Sequence, residues 1–482
     1  MGSARSRGRD DGDPGLPIDL GAVSNGEIAP TAPTSLTIEA TRRARDLVER
    51  QARRRGMPRR EFLRTAMASA AVLLTLDACS TESRDGRSGG RFDVPEEATV
   101  DPDAAREVLG GDEFVMDVQT HFLDLDPAAP FADPGFPQSS CGESDPRLCY
   151  SIDRYLEELF LRSDTNVAVV SAIPATGDDG PLSPARMDEA RRAADTLCGD
   201  GRLLMHGQAI PQLGALEARL DAMDDLVERY PIAAWKVYTH RPGSGWALDD
   251  HDADAPLVGA AFLERVRATG VRTVCVHKGL SGGDPAASPA DIGPAAAANP
   301  DLTFVAYHSG YEGPGEGPYD PSGRGVDRLV ASLETAGIGP GANVYAELGS
   351  TWFQAMRDPD EAAHVLGKLL VAVGPDRILW GTDSIWYGTP QGQIEAFRAF
   401  RLSSELQERF GYPALTDATK RKILGANAAD LYGIDPITTP CTFTRDELTE
   451  VRRALPSRPA SYGPRTAEAA LAHVREHGWI GM

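Results

Sequence analysis

Eight short apolar runs recur along the middle of the chain. They are FVMDVQTHF (114–122), NVAVVSAIP (166–174), LLMHGQAIP (203–211), AAWKVYTH (233–240), RTVCVHKG (272–279), TFVAYHSG (303–310), NVYAELGS (343–350) and RILWGTDS (377–384). They are rich in Val, Ile and aromatics, and most end in Gly, Pro, Ser or His. Runs that stay apolar instead of alternating belong to parallel strands buried on both faces. Between most of them Leu, Val, Ala and Met recur every three or four residues, as in PLSPARMDEARRAADTLC, ALEARLDAMDDLVERY and DEAAHVLGKLLVAVG. That spacing predicts helices. Eight strand–helix units over about 320 residues predict an α/β fold, a (β/α)8 TIM-like barrel with enlarged loops. A doubly wound open sheet is the alternative, but no Gly-x-Gly-x-x-Gly turn follows any run to support it. The chain closes with TRDELTEVRRAL and TAEAALAHVREHGWIGM, which predict a small helical cap over residues 436–482. Thr444 and Glu447 have the spacing of a capping box.

The first hundred residues follow a different pattern. Residues 1–56 are polar, rich in Gly, Arg, Asp, Pro and Thr, and are expected to be a disordered extension with one basic helix around Glu39–Arg55. Residues 57–79 have the layout of an export signal: Arg59 and Arg60, then Phe62 and Leu63, then an apolar run from Ala66 to Leu76, then Cys79. The RREFL core resembles a twin-arginine signal, and LDAC resembles a lipoprotein cleavage box with Cys79 as the lipidated residue. Asp77 is unusual within such a box. The run is too short for a permanent span, which needs ~20 residues. These features predict an exported protein, lipid-anchored on the outer face of the cytoplasmic membrane. Residues 80–112 read as a linker ahead of a barrel at 113–435.

Composition adds little. The formal charge of −22 excludes nucleic-acid binding through a broad basic surface. Of six cysteines, Cys141 and Cys149 lie eight apart in one loop and can pair in an oxidising compartment. Cys275 sits inside a strand and reads as core. No Cys-x-x-Cys occurs, so a thiolate zinc site is not expected.

Chemistry-bearing residues gather at the C-terminal ends of the runs, where a barrel of this type does its work. Gln119 and His121 end the first. Lys236 and His240 belong to the fourth, His277 to the fifth, His308 to the sixth, Glu347 to the seventh and Asp383 to the eighth. Several imidazoles and a carboxylate at one rim are the donors a catalytic metal needs, with one position left for water. The acidic run Asp249–Pro256 lacks the Gly and Glu of a calcium loop and reads as a solvated helix start.

In order and spacing, DVQTHF, KVYTH, CVHKG, AYHSG, LWGTDS and KILGANAADLYGI resemble the amidohydrolase superfamily. More narrowly they resemble the amidohydrolase-related group that includes aminocarboxymuconate-semialdehyde decarboxylase and pyrone-dicarboxylate lactonase. The resemblance implies one divalent metal ion held by His121, His277 and Asp383, with His308 moving protons. It places Gln119 where the first histidine of a His-x-His pair is expected. A Gln amide offers a neutral oxygen or a cation-repelling donor, so it is a weaker ligand than imidazole. Zinc is the expected ion, with manganese or magnesium as harder alternatives. A strand-four lysine bridges two ions in binuclear relatives, but here Lys236 is expected to bind a substrate carboxylate or a nearby acid. His240, Trp352, Trp386 and Tyr387 are candidate pocket residues, and Glu347 is expected to be structural or to support a histidine.

Together these readings predict a metal-dependent hydrolase of a small-molecule ester, lactone or amide, with His308 and Asp383 catalytic. The first alternative is a metal-dependent non-oxidative decarboxylase of an unsaturated or aromatic acid, with Lys236 holding the carboxylate. The second is an inactive barrel that binds a ligand.

Overall fold

The computed structural model describes residues 15–26, 28–123, 141, 143, 145–173, 182–199, 201–240, 243–251, 254–437, 445–463 and 465–468. All eight apolar runs form strands: β1 (Met116–Thr120), β2 (Val167–Val170), β3 (Leu203–Gln208), β4 (Ile232–Tyr238), β5 (Thr273–His277), β6 (Thr303–Tyr307), β7 (Val344–Glu347) and β8 (Ile378–Leu379). They hydrogen-bond in chain order into one parallel sheet. Thr120 also bridges Ser384, and the Val118 N–H donates to the Trp380 carbonyl at 3.0 Å. The first strand therefore meets the chain just after the last, and the sheet closes into a (β/α)8 TIM barrel. The open-sheet alternative fails because it would leave that side of β1 unpaired. The three helical stretches read from spacing form helices Pro184–Cys198, Leu216–Arg229 and Pro359–Ala372.

The barrel interior is a packed core, with Met116, Val118, Val167, Val169, Ala234, Cys275, Val305 and Tyr307 in one buried cluster. Ala428 of helix Asn427–Tyr432 joins it, which explains why the KILGANAADLYGI segment belongs with the barrel. The acidic run ahead of helix Gly259–Ala268 supplies a cap: Asp250 accepts from the N–H groups of Gly259 and Ala260, both at 2.8 Å.

The chain ahead of the barrel is more ordered than its composition suggests. Helix Ser35–Arg54 starts on a reciprocal Thr34–Thr37 cap and buries Ala40, Ala44, Leu47 and Val48, spaced by three and four. The basic helix expected around Glu39–Arg55 is therefore present, as Ser35–Arg54. The signal-like segment forms helix Ala66–Ser83, which packs against Ser35–Arg54. Met67, Ala68, Ala70, Ala71, Val72, Leu73, Leu76 and Cys79 are all buried. A short helix that is apolar all round satisfies a core as well as it satisfies an export channel. Among the described residues no helix is long and apolar enough to cross a membrane. The stretch read as a linker holds helix Pro102–Leu109 and strand Gly90–Phe92, which pairs antiparallel with Phe400–Leu402. Of the C-terminal cap, helix Arg445–Ala454 is described. Thr444 and most of the final helical stretch lie outside the described residues. Cys141 and Cys149 form a disulfide.

One buried acid on the barrel's outer layer gives a stability test. Glu361 accepts a hydrogen bond from the Tyr311 hydroxyl at 2.8 Å, and burial pushes its carboxyl up to about 7. The raised value means that the folded chain holds the proton more tightly than the unfolded chain. This stabilisation is complete below the ordinary carboxyl range and is lost as pH rises through about 7. Glu361→Gln keeps an acceptor for Tyr311 and cannot ionise. Thermal melts from pH 5 to 8 are expected to show a decline in the parent that is shallower in the variant. An unchanged slope would remove Glu361 from this account.

Candidate active site

The polar residues of six strands meet at the C-terminal mouth of the barrel. Gln119 lies on β1 and His121 just beyond it, where the β1–β2 ladder slips between Asp117 and Thr120. Such irregularities re-aim side chains at barrel rims. His277 ends β5, His308 follows β6, and Asp383 stands four residues past β8. Gln119, His121, His277, His308 and Asp383 are all buried, Asp383 with 2% and His121 with 3% of its surface exposed. Backbone strain concentrates here. His308, Ser309, Ser350 and Asp383 have φ of 61°, 52°, 54° and 58°. Non-glycine residues in this region cost on the order of 1–3 kcal/mol each and cluster where function requires them.

Asp383 is the hub. Its Oδ2 accepts from the Ser350 hydroxyl at 2.5 Å and from the Asn25 amide at 2.8 Å. Its Oδ1 lies 3.2 Å from His121 Nε2 and accepts from Gln119 Nε2 at 3.3 Å. Burial pushes the carboxyl upward, but the His121 imidazole, His308 and the Ser350 hydroxyl outweigh it. Asp383 is therefore held well below the usual carboxylate range and is ionised at neutral pH.

The histidines have assignable tautomers. His121 Nδ1 lies 2.7 Å from the Ser171 carbonyl and carries a hydrogen, and Nε2, aimed at Asp383 Oδ1, donates to the carboxylate when protonated and can share a metal cation with it once that proton is given up. His308 Nδ1 lies 2.7 Å from the Gly349 carbonyl, which leaves its Nε2 lone pair facing Gln119 Nε2 at 3.3 Å. Burial, opposed by Asp383, holds His308 down at about 4, so it is a neutral base at pH 7. The Gln119 amide hydrogens thus bridge Asp383 and His308, while its Oε1 is buried without a hydrogen-bond partner. Gly349 is required beside it: a Cβ there would stand 2.1 Å from that oxygen.

The structure pairs His121 with Asp383 but gathers the expected ligands only in part. His277 meets the His308 ring edge-on and the His240 ring at a tilt, with ring centroids 4.6 and 4.8 Å away. Among the described residues no three His, Cys, Asp or Glu side chains are grouped as the ligands of one ion. The physical reason is Gln119, whose amide nitrogen takes up the acceptors Asp383 Oδ1 and His308 Nε2. A cation still has a seat. His121 Nε2 stands 3.2 Å from a carboxylate oxygen, a contact that favours a proton or a metal cation between them. Turning the Gln119 amide over would bring its unpartnered oxygen to the same point.

Lys236 is fully buried, with Nζ 3.6 Å from the Tyr307 ring centroid and 4.9 Å from that of Tyr238. Glu347 is structural in a specific way: its carboxylate accepts the backbone N–H of His308 at 3.0 Å and of Gly349 at 2.5 Å. It fixes the loops that carry the site, not a histidine ring. Burial pushes it up to about 8. Trp386 lies 6.4 Å from the His121 ring, and the Tyr387 hydroxyl is 2.8 Å from Ser350. Trp352 packs against Phe397 and Phe400, away from the reacting groups.

Three residues had not been singled out from sequence. Asp117 sits in the same MDVQTH stretch and accepts from the Thr382 N–H at 3.0 Å and the Gln119 N–H at 3.2 Å, tying the first strand to the segment after the last. An acid two residues before a candidate ligand was a readable signal. Ser350, in ELGS, was less so. Asn25 carried none, because it is 358 positions from its partner.

Known structures give distant likenesses. An uncharacterized TIM-barrel protein from Bordetella bronchiseptica is 15% identical, covering 66% of this chain and 98% of its own, with a TM-score of 0.40. The 5-carboxyvanillate decarboxylase of Sphingomonas paucimobilis is 12% identical over 67% of this chain and 100% of its own, with a TM-score of 0.39. The 5-carboxyvanillate decarboxylase of Novosphingobium aromaticivorans, whose structure holds manganese, is 14% identical over 67% and 96%, also at 0.39. A search of curated proteins gives no match. The amidohydrolase family model matches residues 117–434, two thirds of the chain, from the aspartate of MDVQTH to the isoleucine that ends KILGANAADLYGI, and this protein belongs to the amidohydrolase family.

Proposed function

We propose that the chain is a metal-dependent hydrolase of small-molecule esters, lactones or amides, working at the barrel mouth. The observation that carries this reading is the buried Asp383 carboxylate, held ionised chiefly by His121, whose Nε2 stands 3.2 Å away, and hydrogen-bonded by Ser350 and Asn25. His121 and Asp383 would hold a divalent ion, with the Gln119 oxygen as a weak third donor and His277 close by. A nitrogen–oxygen set of this kind suits zinc or manganese. When bound, such an ion polarises a carbonyl and makes water a nucleophile near pH 7.

The protein's own groups do the rest. His308 Nε2, neutral and fixed by the Gly349 carbonyl, accepts the proton that attacking water loses. Ionised Asp383 orients that water. Lys236, seated on the Tyr307 ring, offers a cation to a substrate carboxylate or carbonyl oxygen. The decarboxylase alternative uses the same lysine on the group to be lost. In this proposal the enzyme works outside the cytoplasm, supported by the Cys141–Cys149 disulfide. Helix Ala66–Ser83 remains part of the folded unit, with Cys79 inside it.

Metal binding tests the proposal directly. Gln119→His supplies an imidazole in place of an amide and is expected to tighten zinc or manganese at least tenfold in equilibrium dialysis. Unchanged affinity would mean that position 119 does not face the ion. A parent protein that lacks stoichiometric metal yet hydrolyses esters or lactones fully would remove the ion from the reaction. Carbon dioxide released from aromatic acids, with no ester or lactone turnover, would replace hydrolase by decarboxylase.

A further inference from the structure

Every described group hydrogen-bonded to Asp383 comes from the barrel's own strand ends and loops, except Asn25. Asn25 belongs to an arm, residues 16–25, that lies outside the region matched to the family and has no helix or strand of its own. The arm lies across the mouth. Leu16, Ile18, Leu20 and Val23 are buried, and Ser24 and Asn25 are 0% and 1% exposed.

The other end of the chain holds it there. Asp19 accepts from Arg465 at 2.7 Å and from the Ser461 hydroxyl at 2.5 Å. Arg357 donates to the Gly21 carbonyl at 2.8 Å. Gly463 approaches so closely that a Cβ there would stand 1.8 Å from the Ser24 carbonyl oxygen. The N–H groups of Tyr462 and Gly463 in turn donate to the Trp386 carbonyl at 2.9 and 2.7 Å, three residues from Asp383. Two plies of chain, one from each terminal region, are thus stitched over the acting carboxylate.

We propose that the arm is a displaceable strap that keeps the site shut, with the Asn25 carboxamide holding the place at Asp383 Oδ2 that a ligand's N–H or O–H donor takes on binding. This rests on Asp383 being the acting carboxylate. A carboxylate with 2% of its surface exposed reaches no substrate unless something withdraws. The arm is the withdrawing part the geometry singles out. Its direct hydrogen bond to Asp383 comes from a neutral donor that a substrate donor can replace, whereas His121, Gln119 and Ser350 are fixed to the barrel. The latch at Asp19 lies outside the reacting groups and can be altered by itself.

A lock tests this. Asp19→Cys with Ser461→Cys places two thiols where a carboxylate and a hydroxyl now touch. The full chain is treated with diethyl pyrocarbonate, and modification of His121 and His308 is followed by peptide mass spectrometry. The oxidised, cross-linked form is expected to label at least tenfold more slowly than the same protein after reduction. The parent, given the same reductant, controls for the Cys141–Cys149 bond and is expected to change little. Asp19→Asn, which loosens the latch without a cross-link, is expected to label three- to tenfold faster than the parent. Equal labelling of the locked and reduced forms, or no acceleration in Asp19→Asn, overturns the strap. Because labelling needs no turnover, slow labelling of the locked form in a protein that hydrolyses nothing would support the strap and reject only the hydrolase.

Discussion

Replacing Asp383 by Asn is expected to lower kcat/KM by about 10^3-fold, about 4 kcal/mol of transition-state stabilisation. Asn is the informative replacement because position 383 has a φ of 58°, where Asn is among the best-tolerated side chains. The backbone stays where it is, and the loss reports the carboxylate's charge together with the acceptor oxygen that goes with it. Asn offers one carbonyl oxygen for the four groups now gathered on the carboxylate, namely Asn25, Ser350, His121 and Gln119. Its amide hydrogens would point at one pair of donors, and His121 Nε2 would no longer face an anion. Steady-state kinetics on the best ester or lactone found in a panel would measure the change. Retention of more than a tenth of the parent's activity would move the chemistry off Asp383.

The second large effect concerns stability. Arg398, on helix Gln391–Ala399, donates through Nε to Glu113 at 2.8 Å and through Nη1 to Asp164 at 2.6 Å and to the Leu109 carbonyl at 3.0 Å. Its side chain is 6% exposed, and the two carboxylates are 9% and 8% exposed. One guanidinium therefore joins the approach to β1, the approach to β2 and the helix after β8. Arg398→Met keeps much of the apolar volume but withdraws the cation from between buried acids. Breaking such a pair from one side costs about 3–5 kcal/mol, most of it the penalty of the charge left behind. Urea unfolding at pH 7 would measure the loss. Adding Glu113→Gln to Arg398→Met is expected to recover part of it, since one stranded charge is then gone. A deficit under 1 kcal/mol would mean that solvent reaches these acids more freely than their burial implies.

How much of this was legible beforehand depends on the range of the forces involved. β1 to β8 were readable because a parallel strand covered on both faces must be continuously apolar, and the end of each run is where polarity returns. His121, His308 and Asp383 were readable for the same reason, as polar residues at strand ends. Which of them touch was not, since that depends on strand stagger and on an irregularity in β1. His277 was placed with His121 and Asp383, and its edge-on contact with His308 and tilted contact with His240 could not be read beforehand. Helix Ala66–Ser83 was ambiguous because an eleven-residue, mostly apolar run behind two arginines satisfies an export signal and a core helix equally well. Its packing against helix Ser35–Arg54, which buries Ala40, Ala44, Leu47 and Val48, lies outside what local sequence shows. Asn25 was out of reach, as no local periodicity ties it to a carboxylate so far along the chain.

The pairing of Asp19 with Arg465 has a practical corollary for anyone handling the molecule. Residues 19 and 465, far apart in sequence, stand side by side next to the entrance. Fluorophores or solid supports attached beside either of these residues will crowd that doorway, while an attachment at the opposite end of the barrel, such as the exposed Arg272–Asp301 pair just ahead of β5 and β6, leaves the traffic undisturbed.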